Sequence, residues 1–298
     1  MNFQQSGNTF LSVIIPTYQR ADALSKCLIL LSPESQTLEP DLYEIIVSDD
    51  AKDGLTKNMI AERFAWVTWV QGLSKGPAAN RNNGTTHARG NWFIFIDDDC
   101  LPDKNLLLQY FQNIQQYPAI EAFEGAIRPE RSMRKDEECP VNVTGNFFWT
   151  ANVGISKKVF EQIGGFDENY PLAALEDVDI FYRLKEKTIV RFLPEAFVIH
   201  PVIPINIKKK VKTVPKLAQS WVYHVNKHQH IFGFSTKSDV FFQEVKRISF
   251  SLFSNLWRGN FKYALFLFYY LFVGNAYIFY FTFNQNMFQP AITLPAKA

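Results

Sequence analysis

The stretch Trp92-Phe93-Ile94-Phe95-Ile96-Asp97-Asp98-Asp99 decides the fold. It is a short apolar run that ends abruptly in three carboxylates. Toward the N-terminus two further runs repeat the design. Phe10 to Pro16 is apolar and stopped by proline, the mark of a strand buried on both faces rather than of an amphipathic helix. Tyr43 to Val47 runs into Ser48-Asp49-Asp50, and the spacing predicts a helix from about Asp22 to Leu31 between these two strands. Strand, helix, strand, helix with acids at the strand ends predicts an α/β layer built on parallel pairing. In such open sheets ligands collect beyond the carboxyl ends of the strands.

A chain of 298 residues can bury a sizeable core in one or two domains. Its net charge of +2 offers no whole-protein argument for nucleic acid, so none is expected as a partner. Cys27, Cys100 and Cys139 are odd in number and lack CxxC spacing, which excludes a disulfide framework or a zinc finger and suits a reducing compartment. Met1 to Thr9 is polar and unlike a secretory signal, so the first domain is expected to stay on the side of synthesis.

Farther along, the charged stretch Arg128 to Val141, with Pro129 and Pro140, reads as a surface loop. In the block Asn146 to His200, Ser156 is a candidate N-cap for a helix over Lys157 to Ile163 that Gly164-Gly165 closes. A second helix is predicted from Glu176 to Lys187, with Ile180, Phe181 and Leu184 on one face. From Ile207 the composition changes: a lysine cluster (Lys208, Lys209, Lys210, Lys212, Lys216) precedes an amphipathic pattern over Asp239 to Phe261, and Tyr263 to Phe283 carries no charge. The division that follows is 1–205 as an α/β domain and 206–298 as a basic, aromatic-rich helical region.

Carboxylates at the end of a buried strand are costly unless positive charge sits among them, and a divalent cation bridging diphosphate oxygens supplies it. Strand alternation would put Asp97 and Asp99 on one face and Asp98 on the other. An acidic turn or N-cap before Pro102 accounts equally for an isolated triplet. Asp49-Asp50 at a second strand end and the small-residue segment Gly76-Pro77-Ala78-Ala79-Asn80-Arg81-Asn82-Asn83-Gly84 between the two acidic sites weigh toward a ligand site. A helix starting there can aim Arg81 at anionic groups.

These motifs, together with Ser12 to Tyr18, Gly164-Gly165-Phe166-Asp167-Glu168 and Glu176-Asp177-Val178-Asp179, resemble in order and spacing those of family 2 glycosyltransferases, over about the first 200 residues. The resemblance implies the GT-A fold: an α/β, Rossmann-like mixed sheet with helices on both faces, here followed by a C-terminal helical, membrane-associated extension. It further implies that Pro16 and Tyr18 lie by the base and ribose, that Asp50 accepts from the base, that Arg81 contacts the nucleotide, and that Asp98 lies near the ribose and donor sugar. Asp99 of this DXD-like triplet would ligate a divalent metal, Mn2+ or Mg2+. Inversion at the anomeric carbon is implied, which requires a base for the acceptor hydroxyl. Two departures stand out: Asp49 to Gly54 is one residue shorter than the usual turn, and Asn80 replaces a small residue.

Asp177 is the candidate base, since Glu176-Asp177 opens a predicted helix at a pocket rim. The helix dipole would lower its pKa unless burial or Glu176 opposes it; the bland reading is a pair of capping acids. His200 ends another apolar run, and similar family members place a metal-binding histidine at about its separation from Asp177. Trp149, Asn152 and Glu176 are candidate sugar or acceptor contacts, with packing as the alternative for the first two. Cys100 lacks a base partner and is not expected to be a nucleophile. His224, His228 and His230 are expected on a solvated helix face rather than as a metal cluster.

The 21 residues 263–283 are long enough to cross a membrane. Lys246, Arg247, Arg258 and Lys262 precede the segment and only Lys297 follows, which would leave the catalytic domain in the cytoplasm, peripheral or held by a single pass. A soluble helical pair or an in-plane hairpin is the alternative. The reading is an inverting, metal-dependent transferase of a sugar from a nucleotide sugar, UDP-sugar favoured, to a lipid-linked glycan or polysaccharide precursor at the cytoplasmic face of the membrane. The alternatives are a sugar nucleotidyltransferase and a non-catalytic membrane scaffold.

Overall fold

The computed structural model describes residues 10–171, 174–234 and 236–284; Met1 to Thr9, Leu172, Ala173 and Lys297 lie outside them. The chain forms two compact units. One takes the described residues up to Ser132 with Cys139–Glu168 and Glu176–Val202, and the other takes Met133–Glu138, Asn169–Leu175 and the chain from Ile203 onward.

In chain order the first unit holds β1 (Leu11–Thr17), α1 (Ala21–Leu30), β2 (Tyr43–Asp49), α2 (Leu55–Arg63), β3 (Val67–Gln71), α3 (Pro77–Thr86), β4 (Trp92–Ile96), β5 (Leu101–Pro102), α4 (Leu106–Gln116) and β6 (Ala122–Pro129). After β7 (Glu137–Glu138), which belongs to the second unit, come β8 (Asn152–Ser156), α5 (Lys157–Gln162), α6 (Glu176–Lys185) and β9 (Val190–His200). The sheet order is β3-β2-β1-β4-β8-β6-β9-β5. Strands β3, β2, β1 and β4 are parallel, β8 runs against both β4 and β6, and β9 is parallel to β6.

Alternating side chains divide the core into two layers. Val13, Ile15, Ile45, Val47, Ile94 and Ile96 pack with Leu24, Leu28, Ile60, Leu107 and Tyr110 from α1, α2 and α4. Ile14, Ile46, Phe93 and Phe95 face the other way, onto Ala78, Phe160, Ile180 and Leu184 from α3, α5 and α6. Helices therefore cover both faces, as expected. The order reverses at β1, since β2 and β3 follow on one side and β4 returns on the other. The carboxyl ends of β1 and β4 thus frame a topological switch point, where an open sheet leaves a crevice.

Ser156 caps α5 by accepting from the Val159 N–H at 3.2 Å, and Gly164 and Gly165 end that turn with φ of +77° and +69°. Buried Asn152 ties three strands together. Its side-chain N–H groups donate to Ala126 O and Ala196 O, both at 2.9 Å, and its Oδ1 accepts from the Tyr110 hydroxyl at 2.8 Å.

The second unit adds β10 (Ile203–Pro204), paired with β7, then α7 (Ile207–Lys227), α8 (Gln229–Phe232), α9 (Lys237–Trp257), α10 (Phe261–Tyr269) and α11 (Asn275–Phe279). Helix α7 runs through the lysine cluster and Pro215, a helix that the charge pattern alone concealed. The helix expected to reach Phe261 stops at Trp257 because Gly259 turns left-handed at φ +70° and Asn260 caps the next helix, accepting from the Tyr263 N–H. A run from Phe261 to Asn284, 24 residues whose most apolar 18 have a mean hydropathy of 1.6, includes α10, α11 and the π-helical turns Tyr270–Gly274 and Tyr280–Asn284. By length and composition it could cross a membrane. Its inner residues Phe266, Leu267, Tyr270 and Ile278 pack with Val214, Val222 and Ile248.

The solvated-face reading of the histidines is corrected for two of the three. His224 and His228 are buried, and the Tyr170 hydroxyl lies 2.7 Å from His224 Nδ1, because Tyr170 packs with α7; His230 is exposed.

Candidate active site

Pro16 lies buried in β1 opposite Ser48 of β2, and Tyr18, just past the strand, is 59% exposed, free to offer its ring to a ligand. Asp50 continues β2 and is held rather than open: its two carboxylate oxygens accept from the N–H groups of Ser74 at 3.0 Å and Gly76 at 3.1 Å. These bonds fix the loop entering α3. Asn80, the departure from the family pattern, is buried and ties the ends of the strands together. Its Nδ2 donates to Thr17 O at 3.2 Å and Ser48 O at 2.7 Å, so the larger side chain replaces close packing with hydrogen bonds.

The acidic triplet lies beyond the end of β4, so strand alternation no longer governs it, and the expected pairing of Asp97 with Asp99 is corrected. Asp98 and Asp99 share a partner instead: one guanidinium nitrogen of Arg20 donates to Asp98 Oδ1 at 3.0 Å and to Asp99 Oδ2 at 2.8 Å. Thr17 Oγ1 donates to the second Asp98 oxygen at 2.7 Å. Burial is the main reason that Asp98 is pushed up to about 6, with Thr17 and Arg20 pulling the other way.

Asp97 turns toward α3 and α6. Arg81, almost wholly buried, donates to Asp97 Oδ1 at 2.8 Å and reaches Glu176 Oε1 at 3.5 Å. Arg81 Nε and Glu176 Oε2 have no hydrogen-bond partner among the described residues, which leaves a buried donor and a buried acceptor for a ligand to satisfy. Burial raises Glu176 to about 7 against the pull of Arg81. Burial likewise raises Asp177, outweighing the Val178 N–H and Arg81, so desolvation overcomes the lowering expected at a helix N-terminus.

Helix α6 is locked in place from below. Arg183 pairs with Asp179 and donates to the carbonyls of Ile163 at 2.8 Å and Gly165 at 2.7 Å. Asn82 of α3 grips the same turn, donating to Phe166 O at 2.8 Å and accepting from Phe166 N–H at 2.9 Å.

His200 ends β9 with Nε2 3.5 Å from Asp99 Oδ1. Its Nδ1 lies 3.0 Å from Pro201 O and 3.8 Å from Cys139 Sγ. A carbonyl can only accept, so Nδ1 carries the proton and Nε2 meets a carboxylate that is likewise an acceptor. A cation or a second proton between the two atoms resolves that clash, so the donor set of Asp99 and His200 fits a divalent metal. Potential ligand atoms of Asp99, Cys100 and His200 lie within 4.8 Å of one another, but burial pushes the Cys100 thiol well above its usual range. That leaves Cys100 unsuited as a nucleophile.

The sugar contact expected of Asn152 is corrected: its amide is spent inside the sheet, as described above. Trp149 is half-buried, with its ring 4.9 Å from that of Phe147. Buried Glu124 holds this loop, accepting from Asn142 Nδ2 and from the N–H groups of Asn146, Phe147 and Phe148. The sequence reading missed Arg20, Thr17 and Glu124. Arg20 and Thr17 directly follow or end β1, within reach of the triplet once the order β1-β4 is known, whereas nothing local marks Glu124.

Residues 12–163, just over half of the chain, match the family described as Glycosyl transferase family 2. The chain belongs to that family. As a family 2 glycosyltransferase it is an enzyme, and the expected family is correct. A relative from Campylobacter jejuni, GalNAc(5)-diNAcBac-PP-undecaprenol beta-1,3-glucosyltransferase, is 38% identical over 95 residues, 30% of this chain and 29% of its own length. Other curated glycosyltransferases align over 58% of this chain, which spans about half of their length. Two solved structures share the GT-A fold. S. aureus TarS 1-349 in complex with UDP is 16% identical with a TM-score of 0.54, covering 80% of this chain and 78% of its own. Mannosyltransferase PcManGT from Pyrobaculum calidifontis in complex with GDP-Man and Mn2+ is 17% identical with a TM-score of 0.55, covering 92% and 73%. At these identities the likeness concerns the fold.

Proposed function

We propose that this family 2 glycosyltransferase moves a sugar, with inversion, from a nucleoside diphosphate sugar to a hydroxyl of a lipid-linked or polysaccharide acceptor at the cytoplasmic face of a membrane. The observation that carries it is the buried linkage Asp97–Arg81–Glu176, which couples the acidic triplet to the helix start that bears Asp177. A donor site and a candidate base are thereby joined through one guanidinium.

Asp177 takes the proton of the attacking hydroxyl; its raised pKa, caused by burial, makes it a stronger base than a solvated aspartate. Glu176 Oε2 and Arg81 Nε are the buried polar atoms left for acceptor and donor oxygens. Arg20 keeps Asp98 and Asp99 side by side at the ribose and the donor sugar. Pro16, Tyr18 and Asp50 shape the base pocket, and Trp149 offers a face to a sugar ring. Asp99 and His200 would hold Mn2+ or Mg2+, which when bound supplies positive charge for the departing nucleoside diphosphate.

A solved neighbour that carries UDP supports a UDP-sugar, although GDP-Man in the other keeps the base an experimental matter. The undecaprenol-linked substrate in the name of the Campylobacter jejuni relative supports a lipid-linked acceptor. Family membership argues against a nucleotidyltransferase. The acids retained at every expected position argue against a scaffold. Screening nucleotide sugars for hydrolysis with Mn2+ or Mg2+ tests the reading: release of nucleoside diphosphate sustains it, and pyrophosphate release or no turnover of any donor refutes it.

A further inference from the structure

The second unit presents an apolar surface that its own helices do not cover. Along the outer side of α9 and the run that follows, Phe250, Phe253, Trp257, Phe261, Phe268 and Phe272 are 53% to 93% exposed. Phe261, Leu265, Phe268, Phe272, Ala276 and Phe279 recur every three or four residues, so they share one helix face. The opposite face of the same run is the core of the unit, packed on α7 and α9.

This two-sidedness bears on how the segment meets a membrane. Helix α9 and the run Phe261–Asn284 are joined by the short Arg258-Gly259-Asn260 turn and lie side by side throughout: Phe241 near the start of α9 meets Phe279 near the end of the run, ring to ring at 5.9 Å. If the run crossed a bilayer, α9 would cross with it. The middle of α9 carries buried Glu244 paired with Arg247, and exposed Lys246, which would then sit at mid-depth where an ionised group is costly. At the surface the same side chains can extend to the headgroups.

We infer that the second unit lies in the plane of an anionic bilayer as a monotopic insert, with the Phe250–Phe272 face in the acyl boundary and no segment crossing. Charge selects this occupant. Between residues 203 and 284 the chain carries eleven Lys and Arg against two acids, Asp239 and Glu244. Lys208, Lys209, Lys212 and Lys216 form an exposed stripe along α7, fit for acidic phospholipid headgroups. The inference rests on the membrane reading above and narrows it from peripheral or single-pass to in-plane.

Two measurements on the full chain separate the narrow claim from the broad one. With reporters placed at the C-terminus and, in a second full-chain fusion, inserted in the Arg258-Gly259-Asn260 turn, an in-plane insert gives fluorescent green fluorescent protein and inactive alkaline phosphatase at both sites. Active phosphatase at either site means that the chain spans, as a single pass or as a hairpin with α9, and overturns the inference while leaving membrane binding intact. In flotation with phosphatidylglycerol or phosphatidylcholine vesicles, the purified chain is expected to float with the anionic ones. Replacing Lys208, Lys209, Lys212 and Lys216 together by Gln should cut that partition by about tenfold or more. Phe250→Ser with Phe253→Ser, Phe268→Ser and Phe272→Ser should abolish flotation while donor hydrolysis and the circular dichroism spectrum stay unchanged. If the parent chain fails to float, or the Phe face instead drives a concentration-dependent dimer in sedimentation, the membrane reading itself falls, whatever the hydrolysis assay shows.

Discussion

His200 Nε2 stands 3.5 Å from Asp99 Oδ1 while the other ring nitrogen faces the Pro201 carbonyl at 3.0 Å. The imidazole thus meets the carboxylate lone pair to lone pair unless something positive lies between them. Both His200→Ala and Asp99→Ala are expected to weaken Mn2+ binding by about 100-fold or more. Calorimetric titration of donor-free protein reads this directly, and unchanged affinity in either variant would remove the assigned ligand.

Asp177 works only when ionised, and burial and Asp97 hold its pKa up. Asp177→Asn should lower kcat by about 10²- to 10⁴-fold with little change in donor KM. Asp97→Asn removes a negative neighbour, so Asp177 loses its proton more easily and the acid limb of kcat against pH should move to lower pH. A limb that stays put, or moves upward, would show that Asp177 is not the titrating base.

The donor-free protein should be destabilised by its own Asp98. With the folded pKa raised from 3.8 to about 6, the folded state binds a proton more tightly than the unfolded chain. The stabilising contribution is complete below the unfolded value of 3.8 and is lost as pH rises through about 6. Asp98→Asn should therefore raise Tm at pH 8 relative to the parent and narrow the difference at pH 4. Equal Tm shifts at both pH values would contradict the linkage.

Asn152 should matter to the sheet and not to sugar recognition. Asn152→Leu strands Ala126 O, Ala196 O and the Tyr110 hydroxyl, at a cost of about 2–4 kcal/mol in urea unfolding. The acceptor KM of the surviving folded fraction should stay within about twofold, since less than 0.5 kcal/mol of binding is then at stake. A large rise in KM with undiminished stability would reinstate the sugar contact.

What the sequence disclosed follows from range. The strands β1, β2 and β4 and the acids at their ends were legible because buried parallel strands write continuous apolar runs. The Ser156 cap and the Gly164-Gly165 stop were legible because capping is a matter of three or four residues. Asn152 misled because an amide between apolar strand residues looks the same whether it faces a sugar or three strands. Arg20 and Glu124 were invisible because their partners lie 18 or more residues away and only the sheet order reveals them. The buried setting of His224 was hidden for the same reason, since Tyr170 is 54 residues off.

Two short excursions, Met133–Glu138 and Asn169–Leu175, leave the first unit and return to it before Ile203 begins the main body of the second. The polypeptide is therefore stitched back and forth rather than hung with a removable tail. Cutting after residue 205 would take α7 from Tyr170 but leave that loop attached directly ahead of Glu176 and Asp177. Deletion of the helical end is thus a poor way to obtain a minimal enzyme, and the two units should be expressed and purified as one piece.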